Sequence, residues 1–319
     1  MVADRLFHGS TRRCLVIAAT PGVRNVNELN ASSDVVSDES QTHSDPASSG
    51  VDSAIDPGYW FSDEYVSRMR QTLGPDACRA LSIYPLPEAF CLSVIVPVYN
   101  ECSTVQSVLN SLRNTGLPMQ IIVVDDGSND GSGEALKQFQ DEHQVSLLRH
   151  PENRGKGAAI RTAIEVAQGD VIVIQDADSE YDPGDFRVML QPLLAGEADV
   201  VYGTRYGHCD RQVSPWWHQA VNGFLSWLAS VAIGPRLSDV ETCYKMARRE
   251  DFLDILPKLK ENRFGIEIEL TARWARKNMR FTERPIRYHH RWYDEGKKIG
   301  WRDGVAALGC IFRYGLLRR

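Results

Sequence analysis

No pair of cysteines spaced C-x-x-C occurs in this chain of 319 residues, whose seven cysteines stand at 14, 78, 91, 102, 209, 243 and 310. An odd number without paired spacing argues against a disulfide framework or a zinc site, and for a reducing compartment. No apolar run approaches the roughly 20 residues needed to cross a bilayer, so a membrane span is not expected. The short apolar stretch Cys14–Ala19, behind Arg12 and Arg13, falls short of the roughly 7 to 15 residues of a signal-sequence core and is read as non-targeting. Lys and Arg are missing altogether between Asn25 and Ser67, and from Asn30 to Asp56 the chain is mostly Ser, Asp and small residues. Too little apolar surface lies there to offset the entropy of ordering, so residues 1–56 are expected to be a disordered leader. Positive charge is not in excess either: net charge is -6 and the pI about 5.8, which gives no electrostatic footprint for nucleic acid.

What is there is ordinary globular composition, 43% hydrophobic and 24% charged, enough for one large α/β domain or two smaller ones. Tyr59, Tyr65, Val66, Met69 and Leu73 recur at roughly helical spacing, which predicts a helical lead-in over residues 57–90. Cys91–Glu101, Met119–Asp126, Val145–His150 and the run from Val171 read as strands. Ser103–Asn114, Gly133–Glu142 and Gly157–Ala167 read as helices between them. Such alternation implies βαβ units and a mainly parallel sheet buried on both faces by flanking helices. Ligands of such sheets sit beyond the carboxyl ends of the strands. Pro97–Glu101, Asp125–Ser128, Asn153–Lys156 and Asp176–Glu180 all fall there.

The stretch Val171–Asp185, VIVIQDADSEYDPGD, ends a strand in acidic residues. Asp176 and Asp178 share one parity, so both carboxylates can reach one ion, with Glu180 close by. Oxygen ligands at that density suit Mg²⁺ or Mn²⁺. The plainer alternative is a solvated acidic turn, which Asp182-Pro-Gly favours. VVDDGSNDGSG, Val123–Gly133, is not a calcium loop, because Lys137 stands where the bidentate Glu belongs and a strand precedes it. NRGKGAAI fails as a dinucleotide fingerprint, since Ile160 replaces the closing small residue, and no Walker lysine is present. What remains is an acidic pair, an acidic cluster, and Arg154 and Lys156 between them. That set suits a nucleoside diphosphate, whose leaving group a cation can neutralise.

VPVYNE, VVDDGSNDG, NRGKGAAI and QDADSEYDP, in that order, resemble family 2 of the glycosyltransferases, which have the GT-A nucleotide-diphospho-sugar transferase fold. Within it the resemblance is strongest to the dolichyl- and polyprenyl-phosphate sugar synthases, over about Ser93–Tyr293. It implies an inverting, metal-dependent transfer of a sugar, mannose or glucose, from a GDP- or UDP-linked nucleotide sugar to a polyprenyl or dolichyl phosphate. By this resemblance Pro97, Tyr99 and Glu101 line the nucleotide pocket with Lys156, Asp125 or Asp126 bonds the base or ribose, and Asp176 and Asp178 match the D-x-D metal motif. Glu180 stands where relatives often have Gln, and it either adds a ligand or faces elsewhere. VVYGTRY, Val200–Tyr206, resembles the strand whose arginine meets the acceptor phosphate, which assigns Arg205 that role. In polysaccharide-making relatives the region of Ser238–Lys245 supplies a general base. With a hydroxyl acceptor Asp239 or Glu241 would serve. With a lipid phosphate, already an anion, they would orient Lys245 or Arg205.

Arg263–Lys277 reads as an amphipathic helix on which Glu267 and Glu269 cannot share a face, so at most one enters the site. Pro285–Trp301 reads as a strand and then a basic aromatic loop, and the resemblance makes that loop a lid over the donor phosphates with Arg291, Lys297 and Lys298. The glycosyltransferase domain is thus expected over 91–302, followed by an amphipathic helix over 303–319. That helix and the Trp-rich segment Pro215–Ile233 are expected either to touch a bilayer surface peripherally, at the cytoplasmic face, or to pack as core. A non-catalytic nucleotide-sugar-binding protein is the remaining alternative, against which three gathered carboxylates argue.

Overall fold

The computed structural model describes residues 57–143, 145–206, 216–290 and 301–317. The expected leader, and Arg291, Lys297 and Lys298 of the expected lid, lie outside the described residues. Seven strands form one sheet: β1 (Leu92–Val98), β2 (Met119–Asp125), β3 (Ser146–Arg149), β4 (Val171–Ile174), β5 (Val200–Thr204), β6 (Lys245–Arg248) and β7 (Phe281–Pro285). Their order is β3-β2-β1-β4-β6-β5-β7. The α-helices among the described residues are α1 (Asp63–Leu73), α2 (Pro75–Ala80), α3 (Val105–Arg113), α4 (Ser132–Glu142), α5 (Lys156–Val166), α6 (Phe186–Leu194), α7 (Trp216–Ile233), α8 (Arg249–Ile255), α9 (Ile266–Ala275) and α10 (Trp301–Ile311). β1 runs parallel to β2 and β4, β2 to β3, and β5 to β7, while β6 lies antiparallel between β4 and β5. The sheet is therefore mainly parallel, as the alternation predicts, with one reversed strand that periodicity did not announce.

β1 and β2 are buried almost throughout, which is why they read as unbroken apolar runs rather than as alternation. Val105, Val108, Leu109 and Leu112 of α3 (Val105–Arg113) cover one face, and Ile160, Ala163 and Ile164 of α5 (Lys156–Val166) are equally buried. Chain order reverses between β1 and β4: β2 and β3 build outward on one side, the later strands on the other. That is the topological switch point, where a crevice opens beyond the carboxyl ends. Pairing of β1 with β4 stops at Ile95↔Ile174 while β1 continues beside β2 to Val98↔Asp125. Pro97, which has no N–H to give, thus falls beyond the last rung on the β4 side.

Three expectations change. The helix at Ile266–Ala275 (α9) is buried from Ile266 to Trp274, Glu267, Glu269 and Arg273 included, so it is a core helix and not an amphipathic one. Its charges are compensated internally, Glu269 by Arg273 at 2.8 Å. β7 ends at Pro285, where a strand was expected to begin, and beyond it Tyr288 forms an isolated antiparallel bridge with Tyr181. Cys91 is disulfide-bonded, where the cysteine spacing suggested no such bond, while Cys78, Cys102, Cys243 and Cys310 are free.

The Trp-rich segment forms α7 (Trp216–Ile233), and the last helix, α10 (Trp301–Ile311), continues in a wider turn over Phe312–Leu316. Each packs by one face, through Leu225 and Ala229 or through Ala307, Cys310 and Ile311. Each shows apolar groups on the other, Phe224, Trp227 and Val231 or Val305 and Leu308. Among the described residues no helix is long and apolar enough to cross a membrane.

Candidate active site

The loop after β1 is tied to its neighbours by short polar contacts. Asn100, at φ 54°, accepts from the Asn129 N–H at 2.9 Å, and its own N–H donates to Ser128 Oγ at 3.0 Å. The Glu101 N–H donates to Ser132 Oγ at 2.9 Å. The Thr104 hydroxyl lies 2.9 Å from Glu101 Oε2 and 2.7 Å from the Ala177 carbonyl, which joins the loop after β1 to the loop after β4. Tyr99 stands at the rim, exposed.

The acidic pair divides its labour. Asp126 is saturated: His150 Nδ1 lies 2.6 Å from its Oδ1, the Arg154 N–H donates to Oδ1 at 3.0 Å, and the Gly155 N–H to Oδ2 at 2.7 Å. Thr162 Oγ1, 3.0 Å from His150 Nε2, fixes the far side of the imidazole. Asp126 therefore shapes the loop that presents Lys156. Asp125 accepts from the Ser128 N–H at 2.9 Å through Oδ1, and its Oδ2, though 3.3 Å from Arg149 Nε, keeps an unsatisfied acceptor. Of the two, Asp125 has hydrogen-bonding capacity left for a ligand.

Beyond β4, Asp176 Oδ1 lies 2.7 Å from Lys156 Nζ, and Glu267 Oε1 of α9 lies 2.8 Å from the same ammonium. Burial works against the charge on Lys156, but these two carboxylates outweigh it and hold the ammonium well above its usual range. Glu267 thus enters the site and Glu269 does not. Burial, then the charges of Asp176 and Glu180, push the Asp178 carboxyl up to about 8. Ser179, at φ 61°, turns the chain so that the Glu180 N–H donates to Asp178 Oδ1 at 3.2 Å. Glu180 itself accepts from the Tyr288 hydroxyl at 2.5 Å. Among the described residues no three His, Cys, Asp or Glu side chains already converge on one ion position.

Arg205, just past β5, meets Asp239 in a two-pronged pair: Nε to Oδ2 and Nη2 to Oδ1, both at 2.7 Å, with the Arg205 N–H adding a third bond at 3.1 Å. Asp239 is fully buried and the guanidinium stacks 5.3 Å from the Tyr288 ring centre. Although burial opposes it, Asp239 holds Arg205 well above its ordinary range. Glu241 is different. Burial first, then Glu267, pushes its carboxyl up to about 7, and its Oε1 has no hydrogen-bond partner. Lys245 donates to the Val240 carbonyl at 3.0 Å and to that of Thr242.

Sequence reading passed over His150, Arg149 and Tyr288. A His–Asp pair 24 positions apart leaves no local pattern, but His150 closes β3 at the ligand edge, and that position was the available signal.

A profile described as Glycosyl transferase family 2 matches residues 93–256, just over half of the chain. The chain is 30% identical over 208 residues to glycosyltransferase AglJ of Haloferax volcanii, covering 65% of each. It is 29% identical over 235 residues to the undecaprenyl-phosphate mannosyltransferase of Micrococcus luteus, covering 70% of this chain and 94% of that one. The chain therefore spans just under two thirds of the length of the first relative. Among solved structures, glucosyl-3-phosphoglycerate synthase from Mycobacterium tuberculosis, in complex with Mn²⁺, UDP and phosphoglyceric acid, superposes with a TM-score of 0.55 at 18% identity. That match covers 80% of this chain and 82% of that one, and it shows the shared fold.

Proposed function

Since this chain belongs to glycosyltransferase family 2, we propose that it transfers one sugar, mannose or glucose, from a nucleoside diphosphate to a polyprenyl or dolichyl phosphate, with inversion. The observation that carries this acceptor class is the Arg205–Asp239 pair. A general base must reach the proton it takes, and Asp239 is fully buried with both its oxygens turned to Arg205. What the pair offers instead is an oriented guanidinium, suited to a phosphate that needs no deprotonation. The polyprenyl-phosphate specificity in the name of the Micrococcus relative supports the same acceptor.

Asp125 supplies its remaining acceptor to the base or ribose beside Pro97, Tyr99 and Glu101, and Lys156 steadies Asp176. Asp176 and Asp178 fit a hard divalent ion, Mg²⁺ or Mn²⁺. The Asp178 carboxyl, raised by burial and then by the neighbouring acids, is what a cation would relieve. When bound, the ion neutralises charge on the departing diphosphate. Glu180 supports the cluster through Tyr288. An oxygen of the acceptor phosphate attacks the anomeric carbon as its bond to the donor phosphate breaks. We place the catalytic domain at 91–302, working at the cytoplasmic face of a membrane that α7 and α10 touch peripherally.

One observation favours a second acceptor: Glu241, with an unpartnered oxygen and a carboxyl near neutrality, is equipped as a base for a sugar hydroxyl or a small hydroxyl acceptor. Incubation of labelled GDP-mannose and UDP-glucose with a short polyprenyl phosphate and Mg²⁺ or Mn²⁺ decides. Labelled lipid that vanishes with chelator supports the proposal. Donor hydrolysis without labelled lipid moves the assignment to the hydroxyl acceptor, and nucleotide binding without any turnover would leave only a binding protein.

A further inference from the structure

The loop that carries Lys156 does not hold itself in place. Gly155, at φ 97°, and Gly157 lie so close to residues 261–262 that a Cβ on the first would strike the Asn262 carbonyl and one on the second the Glu261 carbonyl. The Ala158 N–H, one of the first-turn donors of α5 that has no partner within its own helix, donates to the Asn262 carbonyl at 3.1 Å. Arg161, one turn on, reaches the Glu261 carbonyl and Asn262 Oδ1. Residues 260–262 therefore brace the start of α5 from outside.

That brace is fixed in turn from two sides. Glu269 Oε2 accepts the N–H groups of Lys260 and Glu261 at 2.8 and 2.7 Å. From the end of the chain, the hydroxyl of Tyr314, a buried residue, donates to Glu261 Oε1 at 2.6 Å, and Arg313 Nη1 reaches the same oxygen at 3.2 Å. The C-terminal turn thus connects to Lys156 through one side chain, two carbonyls and one helix start, every link a polar contact of 3.2 Å or less or a backbone approach that only glycine allows.

We propose that Glu261 and Tyr314 are positioning residues for the donor site, setting the place of Lys156, and through it Asp176, by way of the 260–262 brace. The functional consequence rests on the reading of Lys156 and Asp176 as donor-site residues; the mechanical coupling does not. It makes the C-terminal turn part of the active-site framework rather than an appendage.

The test is amide hydrogen exchange at Ala158, read by NMR on the full chain, for the wild type, Tyr314→Phe, Glu261→Gln and the control Ile311→Val, which loosens the buried side of α10 without touching Glu261. Tyr314→Phe should speed exchange at Ala158 by about 2- to 30-fold, the range of coupling through an intervening network. Glu261→Gln, which keeps an acceptor for the hydroxyl, should give a smaller change in the same direction, and Ile311→Val none. In parallel, KM for the nucleotide sugar should rise by a similar factor in Tyr314→Phe while KM for the acceptor stays put. Wild-type exchange at Ala158 in Tyr314→Phe, or equal acceleration in Ile311→Val, would overturn the coupling. A wild type that binds neither UDP nor GDP with Mn²⁺ would overturn the transferase reading instead, and the exchange at Ala158 would still decide the brace.

Discussion

Replacing Asp239 by Asn separates the two roles open to that carboxylate. Asp239 is fully buried and takes three hydrogen bonds from Arg205, whose side chain is only 15% exposed. An amide keeps one acceptor oxygen but turns an NH₂ toward a guanidinium that has only donors. The arginine then keeps its charge in a nearly closed site without a counter-charge. Breaking a buried pair from one side costs about 3 to 5 kcal/mol. Because Arg205 retains some solvent contact, we expect the lower end, about 3 kcal/mol. Urea unfolding of Asp239→Asn should show that loss at unchanged m-value. Replacing Arg205 by Met in the same chain should recover most of it, since the orphaned charge is then gone. Transfer should fall with KM for the acceptor rising, because the guanidinium is no longer oriented. If Asp239 were instead the general base, Asp239→Asn would keep its acceptor KM while kcat dropped by about 10² to 10⁴. That outcome would refute the assignment of Asp239 to Arg205.

Glu241→Gln should retain transfer to a polyprenyl phosphate within a few-fold, whereas a hydroxyl-acceptor enzyme would lose about 10² to 10⁴ in kcat. Because the Glu241 carboxyl is pushed up to about 7, the folded chain binds a proton there that the unfolded chain has released above its ordinary pKa. Stability should therefore fall as pH rises from the ordinary carboxylate range to about 7, and melting curves of Glu241→Gln should lack that part of the fall. For Asp178, raised to about 8, a proton competes with the cation. Mn²⁺ affinity should weaken by about tenfold per pH unit below that value, and Asp178→Asn should bind weakly at every pH in the same titration. His150→Ala should leave Asp126 short of one partner and lower nucleotide affinity without changing the metal dependence of what transfer remains, measurable as a rise in donor KM alone.

The strands that read clearly from the sequence were those in the middle of the parallel half. β1 and β2 are covered on both faces, so their apolar runs carry the whole signal. β6 was invisible for the opposite reason. It sits in the centre of the sheet yet is four residues long and begins with Lys245, whose ammonium is buried against the Val240 and Thr242 carbonyls five and three positions back. No hydropathy pattern distinguishes a lysine hydrogen-bonded to local carbonyls from one in water. The same blindness made α9 look amphipathic: Glu269 and Arg273 read as a wet face, but they satisfy each other four residues apart inside the core.

The site was legible as a set of loops and not as a set of roles, because roles depend on which oxygens are already occupied. Asp125 and Asp126 are adjacent and chemically identical. The three partners that saturate Asp126 come from His150, Arg154 and Gly155, at least 24 positions downstream. Asp239 and Glu241 repeat the case across two positions, one clamped by Arg205, the other left with a free buried oxygen. Alternation along an extended segment could suggest that both face one way, but only the arrival of Arg205, 34 residues earlier in the chain, decides which of them stays available. For acidic pairs of this kind the informative quantity is the number of unfilled acceptors. On that count Asp125 and Glu241 are the carboxylates to mutate first for ligand contact, and Asp126 and Asp239 the ones to mutate for architecture.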